Sequence, residues 1–270
     1  MSNNYSGTSF GCIPSGSDMR DYRLPSVPMS LTLPDEYEVL HSPIKNQEQV
    51  CSCVAHSVCE VVEAIEKNTN RYSTNWIYGY RPFGYLQGKG MMTRNALSTA
   101  VKVGCVLYED FAGNEEVPKV KDIVNANLDM LKEKASSHKM YSYAKLRSRK
   151  EIKEAIYLSK SPVVVCLHCC DPFETDENNI LIYSDKFRGY HAMVCYGWNK
   201  YGLLLQNSWG ESWADGGTCI LPDEYPLLEA WLLTDNSSSF AAVKPKLYWF
   251  RKMIQSIKSF FTTVFNKSDL

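Results

Sequence analysis

The chain has 270 residues, 44% of them hydrophobic and 22% charged, and a net charge of −1, enough for one large domain or two small lobes on a shared core. This balance excludes a strongly basic nucleic-acid-binding surface on the chain as a whole, and no apolar run reaches the roughly 18 residues that span a bilayer. The opening residues MSNNYSGTSFGC lack both the basic and the apolar region of a secretory signal, which points to a cytoplasmic protein with reduced thiols. Most of the ten cysteines are then expected to be buried small hydrophobes and not a disulfide framework.

Residues 1–40, rich in Ser, Pro, Gly and Asn, predict an extended arm. A folded body follows over 41–235, with a helical lobe at about 41–115 and a β-rich lobe at about 140–235. Val54, Val58, Val61, Val62 and Ile65 recur at helical spacing and predict a helix from Cys53 to Lys67. Residues 93–103 predict a second helix that stops at Gly104. A more polar helical stretch runs from Val120 to Lys134, and another from Ser148 to Ser159. The apolar run Val163 to Leu167 comes next, and segments 189–197, 201–206 and 216–221 predict strands separated by Gly, Asn and Asp turns.

A linker, NSSSFAA over 236–242, leads to an amphipathic basic helix predicted at 243–270. Trp249, Phe250, Met253, Ile254, Ile257, Phe261, Val264 and Phe265 form its apolar face. From Lys244 to Leu270 six basic residues face Asp269, a side-chain charge of +5. The segment 243–267 suits docking on its own body, self-association with a second copy, a peripheral position on an anionic membrane, or occlusion of the functional cleft.

The chemistry concentrates around Cys53. A thiol is a strong nucleophile only as thiolate, which a helix N-terminus and a nearby imidazole both favour, and Cys53 opens the first long helix. Of the five histidines, His41, His56, His138, His168 and His191, only His191 heads a strand, HAMVCYGW, from which an imidazole can project into a cleft. Asn207 follows the strand LLLQ and opens NSWG; its carbonyl would fix the imidazole tautomer, with Trp209 covering that bond. Gln47, six residues before Cys53, places an amide donor where an oxyanion forms. Cys166, His168, Cys169 and Cys170 alternate along one strand and so make a poor zinc site. His56 is expected to pack or bond locally, and Cys51 stands close enough to Cys53 to be a redox neighbour.

The order Gln47, Cys53, His191, Asn207-Ser208-Trp209-Gly210 resembles the papain family of cysteine peptidases over roughly residues 10–235. That family places His and Asn about 130–150 residues after the cysteine; here the intervals are 138 and 154. The resemblance implies an α+β, two-lobed papain-like fold, a helical lobe and a β-rich lobe with the cleft between them. It implies Cys53 as nucleophile, His191 as acid and base, Asn207 as its orienter and Gln47 as oxyanion donor. It further implies Gly88 and Gly90 beside an extended polypeptide substrate, Trp209 beside the reacting bond, and Met92, Cys166 and Ala192 lining the pocket for the second residue before it. No metal or organic cofactor is required.

Val50, Cys51 and Val54 depart from the family pattern. With 52 residues before Cys53, a long inhibitory propeptide is not expected, and FGCIPSGSDMRDYRLP resembles the arms of bacterial and phage members. Control by another means is the expectation. Two rival readings use the same residues: transpeptidase or amidase action on cell-wall or other peptides, and a catalytically silent peptide-binding module.

Overall fold

Ser52 opens the central helix without capping it. In the computed structural model, which describes residues 10–19, 21–24, 31–67, 70–81, 90–114 and 117–235, α1 spans Cys53–Glu66, and the Ser52 side chain makes no cap bond. Its hydroxyl instead lies 3.2 Å from His56 Nδ1, so the hydroxyl that would bond the first-turn N–H groups is turned elsewhere. Every residue from Cys53 to Ile65 is buried, as expected of a helix enclosed on all sides.

The helices α2 (Thr74–Gly79), α3 (Thr93–Lys102), α4 (Val117–Ala126) and α5 (Leu128–Ala135) lie on the α1 side of the molecule. The predicted stretch 120–134 is two helices because Asn127 leaves the helical region at φ −114° and ψ 17°. Its side-chain amide donates to Ile123 O at 3.1 Å, the local competition that makes Asn a poor helix former. Six residues are too few for periodicity to announce α2, whose N-terminus is marked by Ser73 Oγ accepting from Trp76 N at 3.2 Å.

The β-rich part is a seven-stranded sheet in the order β4-β9-β5-β6-β7-β8, with β2 (Tyr37–Glu38) pairing β6. The strands are β4 (Ser142–Leu146), β5 (Val163–Cys170), β6 (Phe187–Asn199), β7 (Gly202–Gln206), β8 (Thr218–Leu221) and β9 (Leu227–Thr234), all paired antiparallel. Besides the two-residue β2, strands β4 and β9 of this sheet have no counterpart among the predicted strands. In β9, LLEAWLLT, Trp231 and Leu233 join the core around α1 while Ala230 and Leu232 join the opposite core. A strand buried on both faces has no apolar–polar alternation to detect.

Side-chain alternation divides the two cores. Val164, Cys166, Ala192 and Val194 face α1, whereas Val163, Val165, Met193 and Cys195 face α6 (Arg149–Ser159). Helix α6 starts on a side-chain cap: Ser148 Oγ accepts from Glu151 N at 3.1 Å, and Glu151 reaches back to accept from Arg147 N at 2.8 Å, one residue before the cap. Residues 12–13 (β1) pair in parallel with residues 91–92 (β3), with Cys12 opposite Met91 and Ile13 opposite Met92.

Two buried carboxyl groups, Glu63 and Glu60, sit on α1. Lys45 and Glu63, both 5% exposed, pair at 2.6 Å, and Glu63 also accepts from Tyr72 N at 2.7 Å. Glu60 is different: both carboxyl oxygens lack a hydrogen-bond partner among the described residues, and burial pushes its pKa up to about 8. A raised carboxyl pKa means that the folded state holds the proton more tightly than the unfolded state. Stability therefore falls as pH rises from about 4.5 through 8. At about 1.4 kcal/mol per tenfold difference in proton affinity, the loss is about 4 kcal/mol at pH 8. Glu60→Gln should recover most of it and flatten the profile, measured as urea unfolding free energy at pH 5 and pH 8.

No helix among the described residues is long and apolar enough to cross a membrane. The predicted linker and helix at 236–270 lie outside the described residues.

Candidate active site

Three elements bring the predicted residues together. Cys53 is the first residue of α1, His191 lies within β6, and Asn207 follows β7 directly. His191 Nε2 and Asn207 Oδ1 are 2.7 Å apart. With Nε2–H donating to that carbonyl, Nδ1 is left as the basic nitrogen, and it has no hydrogen-bond partner among the described residues. Asn207 Oδ1 also accepts from Ser208 N at 2.8 Å, which holds the amide in this orientation. The Trp209 ring centroid lies 4.7 Å from that of the imidazole, and Trp209 is itself buried.

Gln47 is fastened to the same loop. Ser208 Oγ donates to Gln47 Oε1 at 2.7 Å, and Gln47 Nε2 donates to Val50 O at 2.8 Å. Backbone bonds from Gln47 N to Ser208 O and from Gly210 N to Lys45 O, 2.8 and 2.9 Å, zip the segment before α1 onto the segment after β7. The Lys45–Glu63 pair then ties this junction to the middle of α1. Gln47, Cys53, His191 and Asn207 thus form one framework, and each is fully buried.

That burial comes from a segment the sequence reading treated only as an arm. The Phe10 ring packs at 6.1 Å from His191, 5.9 Å from Trp209 and 6.4 Å from Phe173. Gly11 crosses the nucleophile so closely that a Cβ there would meet Cys51 O at 2.1 Å; only glycine fits. Gly11 O accepts from Met91 N at 2.8 Å. Cys12 is disulfide-bonded to Cys166, and Ser15 donates to Glu229 through N at 3.2 Å and Oγ at 3.0 Å. Arg94 clamps the segment, donating to Ser15 O, to Gly16 O and to Asp21.

The covered site is electrically quiet. Burial pushes the Cys53 thiol up to about 12, although backbone N–H groups of Ala192, Gly11 and Val54 favour the thiolate. Burial pushes His191 down to about 4 against the opposing bond to Asn207. At neutral pH both groups are therefore uncharged in this state, because desolvation outweighs the dipoles around them.

The other predicted positions divide. Gly90 meets the arm at φ 109°, where a Cβ would lie 2.6 Å from Gly11 O. Met92 stands opposite Ile13, and Cys166 opposite Ala192 in the β5–β6 register. Gly88 lies outside the described residues. His56 bonds locally through Nδ1 to Ser52 O at 3.0 Å, as expected, and Cys51 and Cys53 are both free thiols. Eight cysteines are free and buried, as expected of most of them, while Cys12 and Cys166 form a disulfide that was not expected. Residues 10–16, expected only as part of an extended arm, lie across the site. Phe10, Gly11, Cys12, Ser15, Arg94 and Glu229 were missed; the one usable signal was Cys12, the sole cysteine of residues 1–40.

The papain family cysteine protease model matches residues 28–224. The chain belongs to the papain family of cysteine proteases, and is thereby a thiol protease of the cysteine-type endopeptidase class. Its fold is that of solved family structures at low identity. Xylellain, a cysteine protease from Xylella fastidiosa, is 19% identical with a TM-score of 0.74, covering 85% of this chain and 97% of its own. Procathepsin B S9 from Trypanosoma congolense is 14% identical with a TM-score of 0.65, covering 86% and 88%. The Carica candamarcensis cysteine protease CMS1MS2, solved in complex with E-64, is 15% identical with a TM-score of 0.56, covering 76% and 100%. No curated protein matches the chain.

Proposed function

We propose that the protein hydrolyses peptide bonds of polypeptides through an acyl-enzyme on Cys53. The observation that carries this reading is the 2.7 Å bond from His191 to Asn207, which fixes the imidazole in the tautomer a cysteine nucleophile needs. With the cleft open, water and substrate replace the low-dielectric cover, and proton transfer from Cys53 to His191 Nδ1 gives a thiolate–imidazolium pair at the α1 N-terminus. The thiolate attacks the carbonyl carbon. The oxyanion is held by the Cys53 backbone N–H and the Gln47 amide. His191 then protonates the leaving amine, and water releases the acyl group with the roles reversed. A substrate strand lies against Gly90 and places its second residue before the scissile bond beside Met92, Cys166 and Ala192, the place Cys12 now fills.

Mass spectrometry of products from a peptide library tests the reaction class. Hydrolysis products that persist when an amine nucleophile is added in excess support a peptidase. Products joined to the amine in preference to water identify a transpeptidase, and intact peptides with a folded, uncovered protein identify a binding module.

A further inference from the structure

Resting on the peptidase reading, we propose that the Cys12–Cys166 disulfide is a redox latch. It holds residues 10–16 in the cleft and keeps the enzyme latent until a thiol reductant opens it.

The segment is a plug that spans both walls. On one side, β1 pairs with β3, and Arg94 of α3 grips Ser15 and Gly16. On the other, Cys12 is bonded to Cys166 of β5, and Ser15 to Glu229 of β9. Between these anchors Phe10 and Gly11 occupy the space before His191 and Cys53. A substrate carbonyl cannot reach a fully buried sulfur, so the plug must move before any turnover.

Apart from the disulfide, the plug is held modestly. A two-residue strand pair is marginal by itself, and single hydrogen bonds contribute about 1 kcal/mol each. Such a segment, tethered by its own chain, competes with substrate at an effective concentration in the millimolar range, and it opens reversibly. The disulfide changes this. It joins residues 154 apart in sequence, so release requires breaking a covalent bond and not a fluctuation. The pairing is also selective: the other eight cysteines are free, and the single cysteine of residues 1–40 is bonded to a wall of the expected substrate pocket. One bond therefore both fixes the plug and fills that pocket.

Opening requires a dithiol or two equivalents of a small thiol. A reductant thiolate attacks the Cys12 sulfur, forming a mixed disulfide and releasing Cys166 as a thiolate that takes up a proton. The second reductant thiol then displaces Cys12 as its thiol. Two electrons and two protons pass to the protein, and the reductant leaves as a disulfide. Cys12 is the more exposed residue of the pair, at 6% against 0% for Cys166.

The test compares three preparations of the full chain: oxidised protein with the Cys12–Cys166 bond verified by peptide mapping, the same protein reduced and desalted, and Cys12→Ser without reductant. Two readouts are used. Hydrogen exchange at the Met91 amide, which donates to Gly11 O, follows the plug; the rate of Cys53 labelling by a thiol-selective epoxide follows the site. Reduced protein and Cys12→Ser should both exchange faster at Met91 and label on the order of ten-fold or more faster than oxidised protein. Equal exchange and labelling in all three overturns the latch, as does a Cys12→Ser protein as slow as the oxidised one. If Met91 exchange accelerates but Cys53 stays unreactive, the latch stands and the peptidase reading fails.

Discussion

Cys53→Ser should abolish peptide hydrolysis, a loss on the order of 10⁴- to 10⁶-fold in kcat, in protein whose plug has been released by dithiol. The hydroxyl is nearly the size of the thiol, so the fully buried position should keep its packing, and near-UV circular dichroism should be unchanged. What is lost is acidity, since a serine cannot supply its anion to an imidazole as readily as cysteine does. His191→Ala should cost a comparable factor, because the thiol then has no proton acceptor and the leaving amine no donor. The double variant should be no worse than either single one, the signature of residues that act as a unit. Additive losses would mean that the two do not share a step.

Gln47→Ala should lower kcat by about 10²- to 10³-fold with KM changed only a few-fold, the cost of one oxyanion donor. The amide is held from two directions, by Ser208 Oγ on its oxygen and Val50 O on its nitrogen, so its geometry is set before substrate arrives. Ser208→Ala removes one of these restraints and leaves the donor in place. Its loss should stay under about ten-fold, since it perturbs only the donor's position. Equal losses for the two variants would assign Gln47 a structural role. Steady-state kinetics on one fluorogenic peptide, with both proteins in the reduced state, separates the outcomes.

The site was more legible than the fold around it. Gln47, Cys53, His191 and Asn207 could be paired from sequence because each chemical role admits few residue types, and the motif NSWG fixes one end. Helix α1 was visible through its apolar spacing, α3 through its stop near Gly104, and α6 as the helical stretch from Ser148 to Ser159. Strand β9 was hidden because it is apolar on both faces. The break at Asn127 was hidden because a single polar residue inside a helical pattern reads as surface.

The plug was hidden for a different reason. Its grip depends on a residue of each wall, Arg94 and Glu229, on a disulfide across 154 positions, and on a glycine needed only because Cys51 O lies in the way. None of these is a local pattern. The same contacts explain why the thiol and imidazole of a protease family member are both neutral here: the cover that excludes substrate also excludes the water that would stabilise their charges.

The central claim is a covalent acyl group on Cys53. Reduced protein mixed with an activated peptide ester and quenched in acid within milliseconds should carry a mass increase equal to the acyl portion of the ester. Peptide mapping should place it on Cys53, and Cys53→Ser should carry none at that position. Reduced, folded protein with Met91 exposed to exchange that turns over the ester with no adduct on Cys53, or with the adduct on another residue, would contradict the account.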